Sequence, residues 1–145
     1  IRTTLLVGHP GETEADFEQT LEAVQKVQFD TAFMFVYSPR RGTESFLETE
    51  ILSEDEKKER HTRLTEIQNA ITLKRNQLML GRTETLLVER ASSRDAEEMM
   101  GKTDNFKKVI FKPEGIVKPG DYVRCKIDDI RGWTLRGTLV ENEQE

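Results

Sequence analysis

The chain has 145 residues, of which 35% are hydrophobic and 34% charged, and its formal net charge is −5. No apolar run approaches the roughly 20 residues that cross a bilayer, and the first residues do not resemble a signal peptide, so we expect a cytoplasmic protein without a membrane contact. The apolar residues gather in periodic segments, which predicts folded protein rather than disorder.

The first predicted elements are a strand, a helix and a second strand. The apolar residues 3–7 stop at a turn that begins with Gly8, and Thr13 and Asp16 then resemble a capping box before a helix of about four turns. The apolar residues 33–37 predict the second strand. This order is typical of a parallel βαβ unit, and because both strands are apolar on both faces, we expect the unit to belong to a larger structure.

A long helix is predicted next. Ser53 and Glu56 resemble a second capping box, and the helix is expected to end before Gly81. Its apolar face is marked by Leu64, Ile67, Ile71 and Leu78. We place a module boundary here, which divides the chain into residues 1–80 and 81–145.

The second module is predicted to be a small antiparallel barrel. Short alternating segments punctuated by glycine and proline predict five strands, and closing them into a barrel protects their edges. The predicted strands are residues 83–89, 99–103, 107–111, 122–127 and 133–140. The last five residues are expected to be frayed.

Two loops follow the carboxyl ends of the first two strands, where α/β proteins place ligand-binding loops. The turn at residues 8–13 carries His9 and Glu12, and the loop after Tyr37 carries Arg40 and Arg41, which could reach a phosphate or carboxylate. Each loop could also be an ordinary solvated turn, a reading that the residues themselves favour for the first loop. Neither His9 nor His61, which lies in a stretch expected to be solvated, has a partner at metal-ligand spacing.

Cations and aromatic residues are interleaved in the second module, as in proteins that bind single-stranded RNA. Of the aromatic residues, Phe111 and Trp133 are expected in the interior, whereas Phe106 beside a turn is expected to be exposed. The single Cys125 is expected to be a small core residue, since alone it can form neither an intrachain disulfide nor an iron-sulfur site. The cations proposed to contact RNA are Arg40, Arg41, Lys102, Lys107, Lys108 and Arg136.

The order of the motifs resembles the MiaB-type radical S-adenosylmethionine methylthiotransferases. The segments that carry the resemblance are residues 4–13, Asp16-Phe17, Phe29-Asp30, residues 37–43, Gln68-Asn69 and Gly81-Arg82-Thr83. Residues 101–111, residues 120–123 and Leu135-Arg136-Gly137 look like the TRAM domain of that family. The resemblance implies an α/β plus all-β fold: the C-terminal part of a partial TIM-type barrel, a connecting helix and a five-stranded antiparallel TRAM barrel.

The resemblance also implies an activity, the addition of a methylthio group to C2 of N6-isopentenyladenosine beside the tRNA anticodon. Family members use S-adenosylmethionine, which Gly8, Phe35 and Tyr37 would approach, and two cysteine-bound [4Fe-4S] clusters. The cluster cysteines are not in this chain, so we expect it to be inactive alone, with no cofactor or metal bound. Its implied partners are a tRNA anticodon stem-loop and the N-terminal cluster domains of the same polypeptide.

Two alternatives remain. Arg2-Thr3-Thr4 is closer to the sister enzymes of RimO type, which modify an aspartate of a ribosomal protein, although the basic turn in residues 101–111 favours the tRNA branch. The chain could also be a freestanding RNA-binding module.

Overall fold

The computed structural model describes residues 1–48 and 52–140. The chain divides into two compact units, Ile1–Thr72 and Leu73–Glu145. The module boundary predicted after residue 80 stays a prediction. The expected fraying of the last five residues lies outside the described residues. Within those residues, no helix is both long enough and apolar enough to span a membrane.

The first unit contains the predicted βαβ arrangement. Strand β1 (Arg2–Val7) pairs in parallel with β2 (Thr31–Val36), and helix α1 (Glu14–Val27) connects them. The capping box is confirmed: the Asp16 backbone N–H donates to Thr13 Oγ1 at 3.2 Å, and the Asp16 carboxylate accepts from the Thr13 backbone N–H at 3.0 Å. This reciprocal pair satisfies two donors that the helix start would otherwise leave unpaired.

Helix α2 (Glu54–Gln77) begins at the second predicted capping box, in which Ser53 Oγ accepts from the Glu56 backbone N–H at 3.2 Å. Leu64 and Ile71 pack as predicted, with Val7, Phe17, Leu21 and Val24, in the core of the first unit. Leu78 was expected on the same apolar face but is 59% exposed. The helix ends at Gln77, one residue before Leu78, so helical spacing does not determine where the Leu78 side chain points.

The β1–β2 sheet has two different faces. Leu5, Met34 and Val36 pack against the core that α1 and α2 complete. On the other face, Leu6 and Phe35 are cross-strand partners, and they are 46% and 53% exposed. Phe33 on that face is 50% exposed. One apolar face of this sheet is therefore uncovered in the part of the chain that the structure describes.

The second unit is a closed five-stranded barrel with the strand order β3-β4-β5-β7-β6. Its strands are β3 (Thr83–Ala91), β4 (Met99–Lys102), β5 (Lys108–Phe111), β6 (Tyr122–Arg131) and β7 (Thr134–Leu139). The expectation of an antiparallel barrel is wrong at one pairing, since β5 and β7 run in parallel. A closed ring with an odd number of strands cannot reverse direction at every step, so at least one parallel pair is required.

The barrel interior is apolar and tightly filled. Leu86, Val109, Phe111 and Leu135 are at most 1% exposed, and Cys125 lies among them, as predicted. Burial raises the pKa of the Cys125 thiol to about 12, so this side chain is an unreactive neutral thiol at physiological pH.

Candidate functional site

The turn after β1 is held by a buried ion pair. Glu12 accepts from the Gly8 backbone N–H at 3.1 Å and from Arg60 Nη1 at 2.6 Å, and the Arg60 side chain is only 6% exposed. Gly8 has a φ of 78°, and a Cβ there would lie 2.7 Å from Lys57 Cγ. Glu12 and Arg60 therefore fix this turn, and Arg60 was not singled out from the sequence because its partner lies 48 residues away.

A cavity of about 470 Å³ lies at the carboxyl end of β2. Of the site residues predicted from the sequence, Phe35, Tyr37 and Arg40 line it, with Leu6 beside them; Gly8 and Arg41 do not. The Tyr37 hydroxyl donates to the Ser45 carbonyl at 3.1 Å, which fixes the loop over the strand end. Leu6, Phe35 and Val36 form an apolar wall, and hydroxyl-bearing residues and Arg40 line the rest of the cavity. An apolar wall beside polar groups is typical of a site for a small organic molecule.

Neither histidine has the surroundings of a metal ligand. The His9 ring meets Tyr37 edge-on, with the ring centroids 5.2 Å apart. His61 was expected in a solvated stretch but is half-buried, with Nε2 3.3 Å from the Met34 carbonyl oxygen. Among residues 1–48 and 52–140, no group of three or more histidine, cysteine or acidic side chains could hold a metal ion.

The predicted RNA-binding lysines of the barrel differ in exposure. Lys102 and Lys108 are directly opposite each other across β4 and β5, and Lys102 Nζ lies 2.8 Å from a carboxylate oxygen of Glu89. Lys107 is only 4% exposed, although the sequence suggested a surface cation. Its backbone closes a turn with Thr103, since Lys107 N donates to Thr103 Oγ1 at 3.0 Å and its carbonyl accepts from Thr103 N at 3.1 Å.

The aromatic residues divide into interior and surface groups. Phe111 is buried and Phe106 is 52% exposed, and both positions confirm the predictions. Phe106 has a φ of 63°, a conformation uncommon for a bulky residue. Trp133 was predicted to lie in the interior and is 51% exposed, so that prediction is wrong. Trp133 lies in the turn between β6 and β7, where strand alternation does not set the direction of a side chain.

A second cavity, of about 570 Å³, lies beside that turn. We call it the tryptophan groove; it is lined by Lys108, Ile110, Arg131, Trp133, Thr134 and Arg136, together with residues 92–94 and Glu98. It brings together Lys108 and Arg136, which the sequence nominated, and adds Trp133 and Arg131, which it did not. Lys102 and Phe106 are not among its lining residues.

Two of the cations that line the tryptophan groove are already paired with carboxylates. Arg136 is ion-paired with Glu98, and Arg131 Nε lies 3.1 Å from Asp129 Oδ2. The hydrogen bonds from Arg131 and from the Ile130 backbone lower the pKa of Asp129. Within the described residues, no acidic side chain pairs with Lys108 or Arg94. These two cations are the ones available to an anion.

Comparison with known proteins identifies a domain match in the second unit and similar proteins over nearly the whole chain. Residues 77–140 match the model of the TRAM domain. The chain is 45% identical over 141 residues to a tRNA-2-methylthio-N(6)-dimethylallyladenosine synthase of Moorella thermoacetica, a match that covers 97% of this chain and 32% of that protein. It is 40% identical over 136 residues to the protein of the same name from Fusobacterium nucleatum, covering 94% and 31%.

A solved multidomain protein with nucleic acid binding domains from Streptococcus pneumoniae matches at a TM-score of 0.36 and 18% identity, over 46% of this chain and 25% of that one. The chain spans about a third of the length of its curated relatives. The matches at 40–45% identity nevertheless extend over nearly all of it, and they agree with the motif order and the closed barrel. The chain is therefore similar over nearly its whole length to about a third of these synthases, and residues 77–140, which include the closed barrel, match the TRAM domain.

Proposed function

We propose that this chain is the C-terminal part of a cytoplasmic tRNA methylthiotransferase, which adds a methylthio group to C2 of N6-isopentenyladenosine beside the anticodon. The observation that carries the proposal is the similarity of almost the entire chain to synthases of that name, together with a TRAM domain at residues 77–140. The modules of the proposed protein are residues 1–80, from its catalytic barrel, and residues 81–145, which bind tRNA.

The first unit would contribute the last strands of a partial TIM-type barrel. In such barrels helices cover the outside of a parallel sheet, and the inner face meets the other strands and the ligand. The β1–β2 sheet fits this role, because α1 and α2 cover one face and Leu6, Phe33 and Phe35 leave the other exposed. The N-terminal cluster domains of the same polypeptide would complete the barrel and cover that face.

The cavity at the end of β2 has residues that fit part of S-adenosylmethionine. Phe35 and Tyr37 offer an aromatic wall for its adenine, and Leu6 extends the apolar surface. When bound, the cofactor supplies the methyl group and the radical chemistry of the family. Gly8 would act indirectly, because the space beside its Cα is filled by Lys57. Arg40 also lines the cavity, and Arg41 is exposed beside it in the chain, so this loop could approach an RNA phosphate.

The chain's residues do not fit an iron-sulfur cluster. Such clusters require several thiolates, and the single Cys125 is buried in the barrel core with its pKa raised to about 12. The two clusters of the proposed protein would therefore be bound by cysteines outside this chain. We expect this chain alone to be catalytically inactive and to gain no cluster absorption on anaerobic reconstitution with iron and sulfide.

The barrel is proposed to bind the anticodon stem-loop of tRNA, mainly through phosphates. Lys102, Lys108 and Arg136 are the proposed phosphate contacts, although Lys102 and Arg136 would have to share their charge with Glu89 and Glu98. The exposed Phe106 supplies a ring on which a base can stack. The buried Lys107 would support the turn that presents Phe106 rather than contact RNA through its side chain.

Filter binding of an unmodified anticodon stem-loop to the chain tests the RNA-binding part of this proposal. We expect weak, salt-sensitive binding, and a Lys102→Ala/Lys108→Ala variant should lower the affinity and flatten the plot of log affinity against log salt by roughly 0.7 to 0.9 per lost phosphate contact. Lys112→Ala is the matched control, because Lys112 is exposed and paired with Glu97 at 3.2 Å. The proposal would be contradicted if the wild-type chain did not bind the stem-loop even at low salt.

Mass spectrometry of tRNA tests the activity of the whole protein. A strain that lacks the gene containing this sequence should lose the methylthio group from its isopentenylated adenosine and regain it on complementation. Unchanged tRNA together with a changed ribosomal protein would instead identify a protein-modifying enzyme.

A further inference from the structure

We propose that the tryptophan groove binds one unpaired nucleotide of the RNA, with its base stacked on Trp133 and its phosphate at Lys108. The inference rests on the proposed RNA-binding function and specifies where on the barrel, and in what form, the RNA is recognised. A cavity of about 570 Å³ lies within the size range of small-molecule sites, and it is lined by one indole, several cations and the Thr134 hydroxyl.

The first argument is the position of the indole. Trp133 is the single tryptophan of the chain, and half of its surface is exposed although large aromatic side chains are usually well buried. Its neighbour Gly132 has a φ of 60°, which a turn residue without a Cβ adopts readily, and the turn presents the indole at the groove. An exposed indole beside cations is the combination on which single-stranded nucleic acids stack their bases.

The second argument is an uncompensated charge. Lys102 and Lys108 face each other across β4 and β5, an arrangement in which like charges repel. Glu89 offsets the charge of Lys102, whereas no acidic side chain among residues 1–48 and 52–140 pairs with Lys108. A bound phosphate would relieve this repulsion, and Lys108 is the cation of the pair that lines the groove.

The third argument concerns which groups are left to contact the base. Both arginines on the groove's strands are ion-paired, Arg136 with Glu98 and Arg131 with Asp129. Lys108 is therefore the strand cation left for a phosphate, and Arg94 in the loop after β3 is the other cation of the groove without an acidic partner among the described residues. Glu98 is 16% exposed at its side chain and is the acidic residue of the groove. A carboxylate there repels a second phosphate and accepts hydrogen bonds from amino groups or a ribose hydroxyl. The groove therefore suits one exposed nucleotide better than a continuous phosphate backbone.

Binding of a short single-stranded RNA, and separately of the anticodon stem-loop, to the full chain tests the inference by fluorescence anisotropy of labelled RNA. Trp133→Ala should weaken binding by roughly 5- to 150-fold, with the salt slope nearly unchanged, because stacking is not ionic. Trp133→Phe should recover part of that loss. Lys108→Ala should lower the affinity and reduce the slope by about 0.7, the expectation for one phosphate of a single strand.

The matched controls are Tyr122→Ala, which removes a 71% exposed aromatic side chain outside the groove, and Lys112→Ala. Both should leave the affinity within about twofold. Circular dichroism and thermal unfolding establish that each variant is folded. In the wild-type chain, stacking should also quench the fluorescence of the single tryptophan as RNA is added.

The outcomes separate the inference from the proposed function. If the wild-type chain binds RNA, Lys102→Ala and Phe106→Ala weaken binding, and Trp133→Ala has no effect, the RNA surface lies elsewhere on the barrel and the inference is overturned while the proposed function survives. If the wild-type chain binds no RNA, both are overturned. Equal losses in the Trp133→Ala and Tyr122→Ala variants would show a nonspecific aromatic contribution and would also overturn the inference.

Discussion

The barrel and the two-stranded β1–β2 sheet differ in how completely they bury their apolar side chains. The barrel closes on itself, so every strand has two neighbours and its interior side chains, such as Leu86 and Leu135, are fully buried. The β1–β2 sheet has two strands and helices on one face, and it leaves Phe33 and Phe35 about half exposed. Closure lets a small unit form a complete core, whereas an open parallel sheet needs cover on its second face.

The sharpest way to test this difference is to remove one phenylalanine from each structure. Phe111→Ala should destabilise the barrel by about 3 to 5 kcal/mol, because its side chain is 1% exposed and leaves a cavity. Phe35→Ala, at a position that is 53% exposed, should cost less than about 1 kcal/mol. Chemical denaturation followed by circular dichroism measures both changes. Equal costs would mean that Phe35 is packed against a second layer.

The next largest effect is expected from a glycine of the barrel wall. A Cβ at Gly137 would lie 2.2 Å from the Lys126 carbonyl oxygen and 2.6 Å from Cys125 Sγ, so Gly137→Ala should destabilise the barrel by about 3 kcal/mol. Gly101→Ala is a milder comparison, since a Cβ at Gly101 would lie 3.0 Å from its nearest neighbour, the Leu87 carbonyl oxygen. Thermal unfolding followed by Trp133 fluorescence should rank the wild type above Gly101→Ala, and that variant above Gly137→Ala. The reverse order of the two variants would contradict the packing.

A moderate effect is expected on self-association. The exposed face of Leu6, Phe33 and Phe35 is apolar, and uncovered apolar faces associate. Sedimentation velocity should therefore show association that increases with concentration, and Phe33→Lys/Phe35→Lys should reduce it. Tyr122→Lys on the barrel is the control and should leave it unchanged. A wild-type chain that stays monomeric at all concentrations would show that this face needs no cover.

The smallest effect is expected at the start of α1. Thr13→Ala removes the capping side chain and should cost about 1 kcal/mol, whereas Thr20→Ala on the same helix should cost less. Hydrogen bonds from Thr13 lower the pKa of Asp16, so their stabilisation is complete above the ordinary pKa of that carboxyl and is lost as the pH falls through the lowered value. Acid titration should affect the helix signal of the wild type more than that of Thr13→Ala. Identical titrations would rule out this cap.

Local patterns predicted most of the elements. Both capping boxes and the approximate positions of all five barrel strands follow from residue order and alternation, and so does the interior position of Cys125. The parallel pairing of β5 with β7 depends on how many strands close the ring, which no single strand reveals. The ion pair between Glu12 and Arg60 joins residues far apart in sequence, so spacing could not predict it.

The candidate site was predicted less completely than the fold. Alternation placed Trp133 inside and left Lys107 on the surface, and both expectations failed because each residue lies in or beside a turn. The sequence Arg131-Gly132-Trp133 did carry a signal, since a glycine between a cation and an indole favours a turn that exposes both. Lys108 and Arg136 were nominated by charge alone, and only the barrel topology brings them to one groove with Trp133.

Nuclear magnetic resonance of the ¹⁵N-labelled chain during titration with an anticodon stem-loop tests most directly the central claim that the barrel, through its tryptophan groove, binds RNA. The chain has one tryptophan and therefore one indole N–H signal. We predict that this signal and the backbone signals of Lys108, Thr134 and Arg136 shift together as RNA is added, while those of α1 stay in place. Shifts confined to the first unit, or an indole signal that does not move while RNA binds, would contradict the account.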